Sequence, residues 1–161
     1  MNQGARAARS DILLFLHADS TLPEGAIDRV RIKVEDGCDG GGFIVEFDDT
    51  SPIFRLGSRL VNTRTRLTRI PLGDQGQFVT RTIFEDLGGF RDWPILEDLD
   101  FARRLKQRGA VGIIEKPIVT SARRYNQNGV SRTIVNNWWI WFLFFLGVPP
   151  AKLAKRYRDV R

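Results

Sequence analysis

The chain is poor in the residues that most often carry or brace chemistry. It has one cysteine, Cys38, and one histidine, His17, in 161 residues. A lone cysteine excludes an internal disulfide framework and fits a reducing compartment. One histidine and one cysteine give no zinc-type ligand spacing and no basis for a histidine-dependent triad. The unbroken apolar run at 138–146 ends before Pro149-Pro150, well short of the roughly twenty residues needed to span a bilayer. Residues 1–10 are polar and helix-like rather than a secretory leader, so a cytoplasmic location is expected. No internal repeat or low-complexity segment is evident.

The composition is that of a soluble globular domain, 42% hydrophobic and 27% charged, and the length allows one domain with a real core. The net charge is +6. The cations are spread over 55–69, 103–108, 123–124 and 152–161, and no nucleic-acid motif gathers them. Nucleic acid is therefore not the expected partner; a diphosphate or anionic lipid suits such a surface.

Small and basic residues at helical spacing predict a helix over 1–9, and an unbroken apolar run predicts a buried, central strand over 11–16. A helix opening at Pro23-Glu24 follows, with Ala26, Ile27, Val30 and Val34 on one face and Asp36-Gly37 ending it. Gly40-Gly41-Gly42 leads into a strand at 43–47. Ser51-Pro52 opens a helix to about residue 68 whose apolar positions Ile53, Leu56, Leu60 and Leu67 share a face. A strand at 77–80 precedes a helix at 81–87 stopped by Gly88-Gly89. A helix over 97–108 carries acids in its first turn and bases in its last. Short strands at 111–114 and 118–120 are split by Pro117. An aromatic helix over 134–148 is followed by a basic helix to Arg161. Strands alternating with helices predict an α/β fold with a mixed, mostly parallel sheet. The expected division is 1–133 for the sheet-bearing domain and 134–161 for an aromatic and basic helical extension.

Two acidic sites stand out. Asp19 lies just past the first strand, where ligands of open α/β sheets gather; it can hold a metal–diphosphate or cap the next helix. Glu97-Asp98 opens a helix, and either a general base or a helix cap fits that place. His17 can assist a metal or phosphate, or pack at a strand end. Gly73-Asp74-Gln75-Gly76 forms a polar loop that can meet an acceptor or simply turn the chain. Arg123-Arg124 can clamp a diphosphate or anionic acceptor, or belong to a solvated basic loop.

The order of these motifs resembles family 2 glycosyltransferases. Leu14-Phe15-Leu16-His17-Ala18-Asp19-Ser20-Thr21-Leu22-Pro23 resembles their metal-binding strand end. Gly73-Asp74-Gln75 with Phe78 to Arg81 resembles the acceptor-side strand, and Gly88-Gly89-Phe90 with Glu97-Asp98 resembles the segment that carries the base. Ser121-Ala122-Arg123-Arg124-Tyr125 and the following aromatic helix resemble a small, stand-alone bacterial subgroup. The resemblance implies a GT-A fold, a nucleotide-diphospho-sugar donor, Mg2+ or Mn2+, and inversion at the anomeric carbon. By position, Asp19 is the metal–diphosphate ligand and Asp98 the base, with Glu97 beside it. His17 stands where many relatives carry another Asp. The processive members' Gln-x-x-Arg-Trp motif is absent, which argues against a polysaccharide synthase.

Family members open with strands that hold the nucleotide's base and ribose, and here residues 1–5 align within the helix before the metal strand. The chain is thus expected to correspond to the carboxyl-terminal two thirds of such an enzyme. It is expected to expose a sheet edge that favours self-association. The alternative is an inactive remnant or binding module without a donor pocket. The aromatic and basic extension suggests either a helix buried on the sheet or peripheral contact with the inner face of a membrane, near a lipid-linked acceptor.

Overall fold

The computed structural model describes the backbone of residues 1–158 and all their side chains except those of residues 124, 128, 131 and 156–158. The described residues form an α/β fold with one five-stranded mixed sheet. Its strands are β1 (Ile12–Phe15), β2 (Ser20–Thr21), β3 (Gly40–Phe47), β4 (Gln77–Thr80) and β5 (Val111–Thr120). Their order across the sheet is β1-β4-β3-β5-β2. The helices are α1 (Asn2–Ala7), α2 (Ala26–Glu35), α3 (Pro52–Thr68), α4 (Arg81–Asp86), α5 (Glu97–Arg108), α6 (Arg123–Asn128), α7 (Val130–Phe145) and α8 (Pro150–Arg158). The chain divides into two compact units: Met1–Arg91 with Asp98–Ser121, and Asp92–Glu97 with Ala122–Arg161.

The first unit holds the whole sheet. The expectation of a mostly parallel sheet is corrected: β3 and β5 pair in parallel, while β1–β4, β3–β4 and β2–β5 are antiparallel. β1, β3 and β5 nevertheless run the same way, because β4 lies antiparallel between β1 and β3. Successive strand residues face opposite sides of a sheet. Phe78 therefore joins Ala26, Val30, Phe43, Ile114 and Ile118 on one face, and its neighbour Val79 joins Leu13, Phe84, Phe90, Phe101 and Leu105 on the other.

β1 is an edge strand rather than the central one expected, and of its four residues only Leu13 is buried. Its apolar run reads as buried on both faces, but Ile12, Leu14 and Phe15 are covered only in part. β3 starts three residues earlier than predicted because its glycines are where backbones crowd. A β-carbon on Gly41 would collide with the Gly112 carbonyl, and one on Gly42 would lie 2.5 Å from Pro71 Cβ. The two strands expected around Pro117 are one strand, β5. A register shift opposite Phe43 to Val45 takes up the proline, the usual way a sheet accommodates it.

Helices also differ from their predicted form, α2 and α3 among them. α2 begins after Gly25, which adopts a left-handed φ of 70°, so Pro23 lies outside it. The alternative in which Asp19 caps this helix is corrected: Gly25 is the N-cap with no side-chain cap hydrogen bond, and Ser20 and Thr21 form a short strand against β5. In α3 the face formed by Ile53, Leu56, Leu60 and Leu67 is exposed, and Phe54, Ser58, Asn62 and Thr65 are buried instead. The reason is partner chemistry. Asn62 donates its amide to the Val45 carbonyl at 2.9 Å and accepts from the Val45 N–H at 2.8 Å, filling an edge of β3 beyond the end of β4.

The second unit is helical. Arg123-Arg124, whose alternative reading is a solvated basic loop, opens the helix α6. α7 packs Ile140 inward and sets Phe144 edge-on to Trp93 at 6.0 Å; Leu153 and Ala154 of α8 are also buried. No helix of the described residues is long and apolar enough to cross a membrane. The predicted continuation of the basic helix over 159–161 lies outside the described residues.

Candidate functional site

The carboxyl ends of β1, β3 and β5 point to one edge of the sheet, and the amino end of antiparallel β4 meets them there. This is where an open α/β sheet offers a crevice. His17 and Asp19 lie on the loop leaving β1, the 3-10 turn Gly73–Gln75 leads into β4, and Asp98 stands in the first turn of α5.

Gly73 is the junction. Its N–H donates to Asp98 Oδ2 at 2.7 Å. A β-carbon on Gly73 would lie 2.5 Å from His17 Nε2 and 3.1 Å from Asp98 Oδ2. The imidazole and the carboxylate thus crowd the same α-carbon, which only glycine leaves open. Asp98 is fixed further by the Leu99 N–H, which donates to Oδ1 at 2.8 Å. Gln77 donates its amide to the carbonyls of Asp98 at 3.0 Å and Pro71 at 2.9 Å, tying the start of β4 to the start of α5. Each Asp98 oxygen holds one backbone N–H, and a carboxylate offers about four acceptor positions, so acceptor capacity remains. The residue is half-buried.

Asp74 adds charge beneath this surface. The residue as a whole is partly covered, but its Oδ1 is sealed from solvent and accepts no hydrogen bond. Burial pushes its carboxyl up from the ordinary aspartate value, and the negative Asp98 adds to the push; Arg64 and His17 oppose it. Arg64, from α3, is held below the ordinary arginine value by burial, against the pull of Asp74 and Asp98. It donates to Thr65 Oγ1 at 2.7 Å and Gln75 Oε1 at 2.9 Å. Gln75 is wholly buried. Its carbonyl also accepts from Thr65 Oγ1 and the Leu72 N–H, and its amide donates to the Phe43 carbonyl. Gln75 therefore builds the turn rather than facing a ligand.

Asp19 has an exposed side chain and a fixed backbone: its carbonyl accepts from the Ser121 N–H at 3.1 Å. The Ser121 hydroxyl donates to Asp48 Oδ2 at 3.0 Å, which brings the end of β3 to the same loop. Among the described residues no group of three or more His, Cys, Asp and Glu side chains could hold a metal ion. Asp19 fits a cation only if a bound ligand's oxygens complete the shell, as diphosphates commonly do for Mg2+.

The structure thus brings His17, Gly73, Asp74 and Asp98 together in the first unit. Glu97, half-buried, and Arg123, exposed, both fall in the second unit, and the side chain of Arg124 lies outside the described residues. Asp100, two residues on from Asp98, pairs with Arg104 at 2.7 Å and Arg91 at 3.3 Å. Sequence reasoning missed Arg64 and Asp48. Arg64 is one of several basic residues in α3, and nothing local marks it as the one turned inward. No family model matches the chain, and no curated protein matches it.

Proposed function

We propose that this chain transfers a sugar from a nucleotide-diphospho-sugar to an acceptor hydroxyl with inversion. The single observation that carries the reading is the Asp98 carboxylate, held by two backbone N–H groups beside His17 at the carboxyl edge of the sheet. The resemblance of the surrounding motifs to family 2 glycosyltransferases, which implies a GT-A fold, supports it.

In this reading Asp98 is the general base. The acceptor hydroxyl gives its proton to an Asp98 oxygen while its own oxygen bonds the anomeric carbon. The bond from that carbon to the diphosphate oxygen breaks on the opposite face, and its electron pair leaves with the diphosphate. Asp19 and the donor's diphosphate together would hold Mg2+ or Mn2+, which stabilises the charge of the departing group. His17, beside Gly73, lines the space between the two partners. Arg64 and Asp74 set the field behind the base.

Calorimetric titration with UDP and with GDP, with and without Mn2+, tests the donor side. The expected result is metal-dependent binding of one nucleotide that is lost in Asp19→Ala and kept in Asp98→Asn. A well-folded chain that binds neither nucleotide overturns the reading and leaves a remnant or binding module without a donor pocket.

A further inference from the structure

We propose that α7 seats this chain on the surface of an anionic bilayer, with the helix lying in the plane of the interface. The proposal is independent of the transfer reaction.

The first observation is an apolar face that the second unit does not bury. Val135, Trp138, Phe142 and Leu146 recur at helical spacing and are 67%, 72%, 52% and 65% exposed. Trp139 and Phe145 flank them and are exposed as well. The opposite side of α7 is apolar too, but there Ile140 is buried and Phe144 meets Trp93. Single exposed apolar side chains are ordinary on a protein surface. A stripe of four such side chains, flanked by two more, is larger than the apolar patches that soluble monomers usually leave to water.

The second observation is where the charge sits. No Asp or Glu occurs from Lys116 to Arg158, while eight Lys and Arg do. Residues 122–161 carry eight cations and one acid, so they hold +7, and residues 1–121 hold −1. The whole positive excess of the molecule therefore belongs to the segment that carries the stripe. Arg132, Lys152 and Lys155, on α7 and α8, are exposed. The cations and the stripe are thus borne by the same pair of helices.

Charge decides the occupant. A second copy of this chain would set +7 against +7, so self-pairing through α7 is opposed. An anionic bilayer attracts basic residues near its surface and offers a boundary where Trp and Phe rest with their rings in the acyl region. A helix of 16 residues spans about 24 Å, too short to cross the hydrocarbon core, so it lies along the interface. Single-stranded nucleic acid also stacks on aromatics beside cations. The stripe, however, mixes rings with Val135 and Leu146, which offer no stacking surface or hydrogen bonds to bases.

Vesicle flotation of the full chain tests this, with phosphatidylcholine vesicles and with vesicles carrying about one third phosphatidylglycerol. We expect flotation with the anionic vesicles alone, a blue shift of tryptophan emission, and release by high salt. Trp138→Ala with Phe142→Ala should lower partitioning at least about tenfold, and Lys152→Glu with Lys155→Glu should abolish the preference for anionic lipid. These side chains are exposed, so an unchanged circular dichroism spectrum is expected, and Trp138→Glu serves as a second variant if the double alanine misfolds. No flotation, equal flotation with neutral vesicles, or undiminished binding by the variants overturns the proposal. So does binding to poly(U) that depends on Trp138 and Phe142 and exceeds binding to vesicles.

Discussion

Asp74 is held in a form that costs the fold stability at neutral pH. Its carboxyl is pushed up by burial and by Asp98, and these two outweigh the attraction of Arg64 and His17. A group whose pKa is raised on folding stabilises the native state below its unfolded value, and that contribution is lost as the pH rises through the folded value. Asp74→Asn removes the charge and keeps the shape. Its melting temperature should exceed the parent's at pH 8, and the difference should vanish near pH 4. Thermal melts across that range check it; a variant less stable than the parent at pH 8 would show that Arg64 depends on the Asp74 charge. Much of this site is legible in the sequence, because Asp19, Gly73 and Asp98 lie beside strand ends and turns whose positions the local pattern gives. What is not legible is depth. Asp74 and Gln75 are adjacent in one polar loop, yet Gln75 is the wholly buried scaffold and Asp74 the perturbed acid. Only the long-range contact with Arg64, Thr65 and Phe43 separates them.

α3 shows why element-scale patterns mislead. Periodicity correctly marks a helix, since Ser51-Pro52 starts it and the apolar spacing is helical, but it assigns the wrong face to the core. The sheet edge that α3 covers presents unpaired backbone polar groups of β3, and a buried backbone N–H or C=O must find a partner. Asn62 supplies both partners, so a polar face turns inward and Leu56 and Leu60 turn outward. Asn62→Leu should therefore destabilise the chain despite adding apolar surface. Two orphaned backbone groups at about 1–3 kcal/mol each set the expected loss at about 2–6 kcal/mol, read from the midpoint of urea unfolding. A loss below about 0.5 kcal/mol would mean that water replaces the amide. The sheet direction is misread for a related reason. Alternating helices and strands suggest parallel crossovers, but β4 enters beside β1 from the Gly73 turn, and its four residues are too few to reveal orientation. Elements with strong local punctuation, β4 and α5 among them, fall at their predicted bounds.

At the scale of the molecule the two units are built from different kinds of contact. The first is closed by pairings far apart in sequence: Ile12 faces Thr80, Ser20 faces Thr120, and the Asn2 side chain bonds both backbone groups of Phe90. The second is three successive helices with the short segment 92–97. Among the described residues its buried apolar side chains are few, Ile140, Leu153 and Ala154 among them. Regions with little buried apolar surface open at lower free energy than the core does. Hydrogen exchange should accordingly divide the chain. Amides of β3, β4 and β5 should exchange last, through global unfolding, and those of α6 and α7 should exchange through an earlier local opening. Sequence hints at this division, since the aromatic and basic composition changes abruptly near residue 134, but the recruitment of 92–97 is a tertiary fact with no local signal. If α7 is an interfacial helix, anionic vesicles should slow its amides while leaving β3 unchanged, because a bilayer supplies the apolar cover that the unit itself does not. Equal protection of α7 and β3 in water, with no response to vesicles, would instead describe one cooperative body whose aromatic stripe tolerates water.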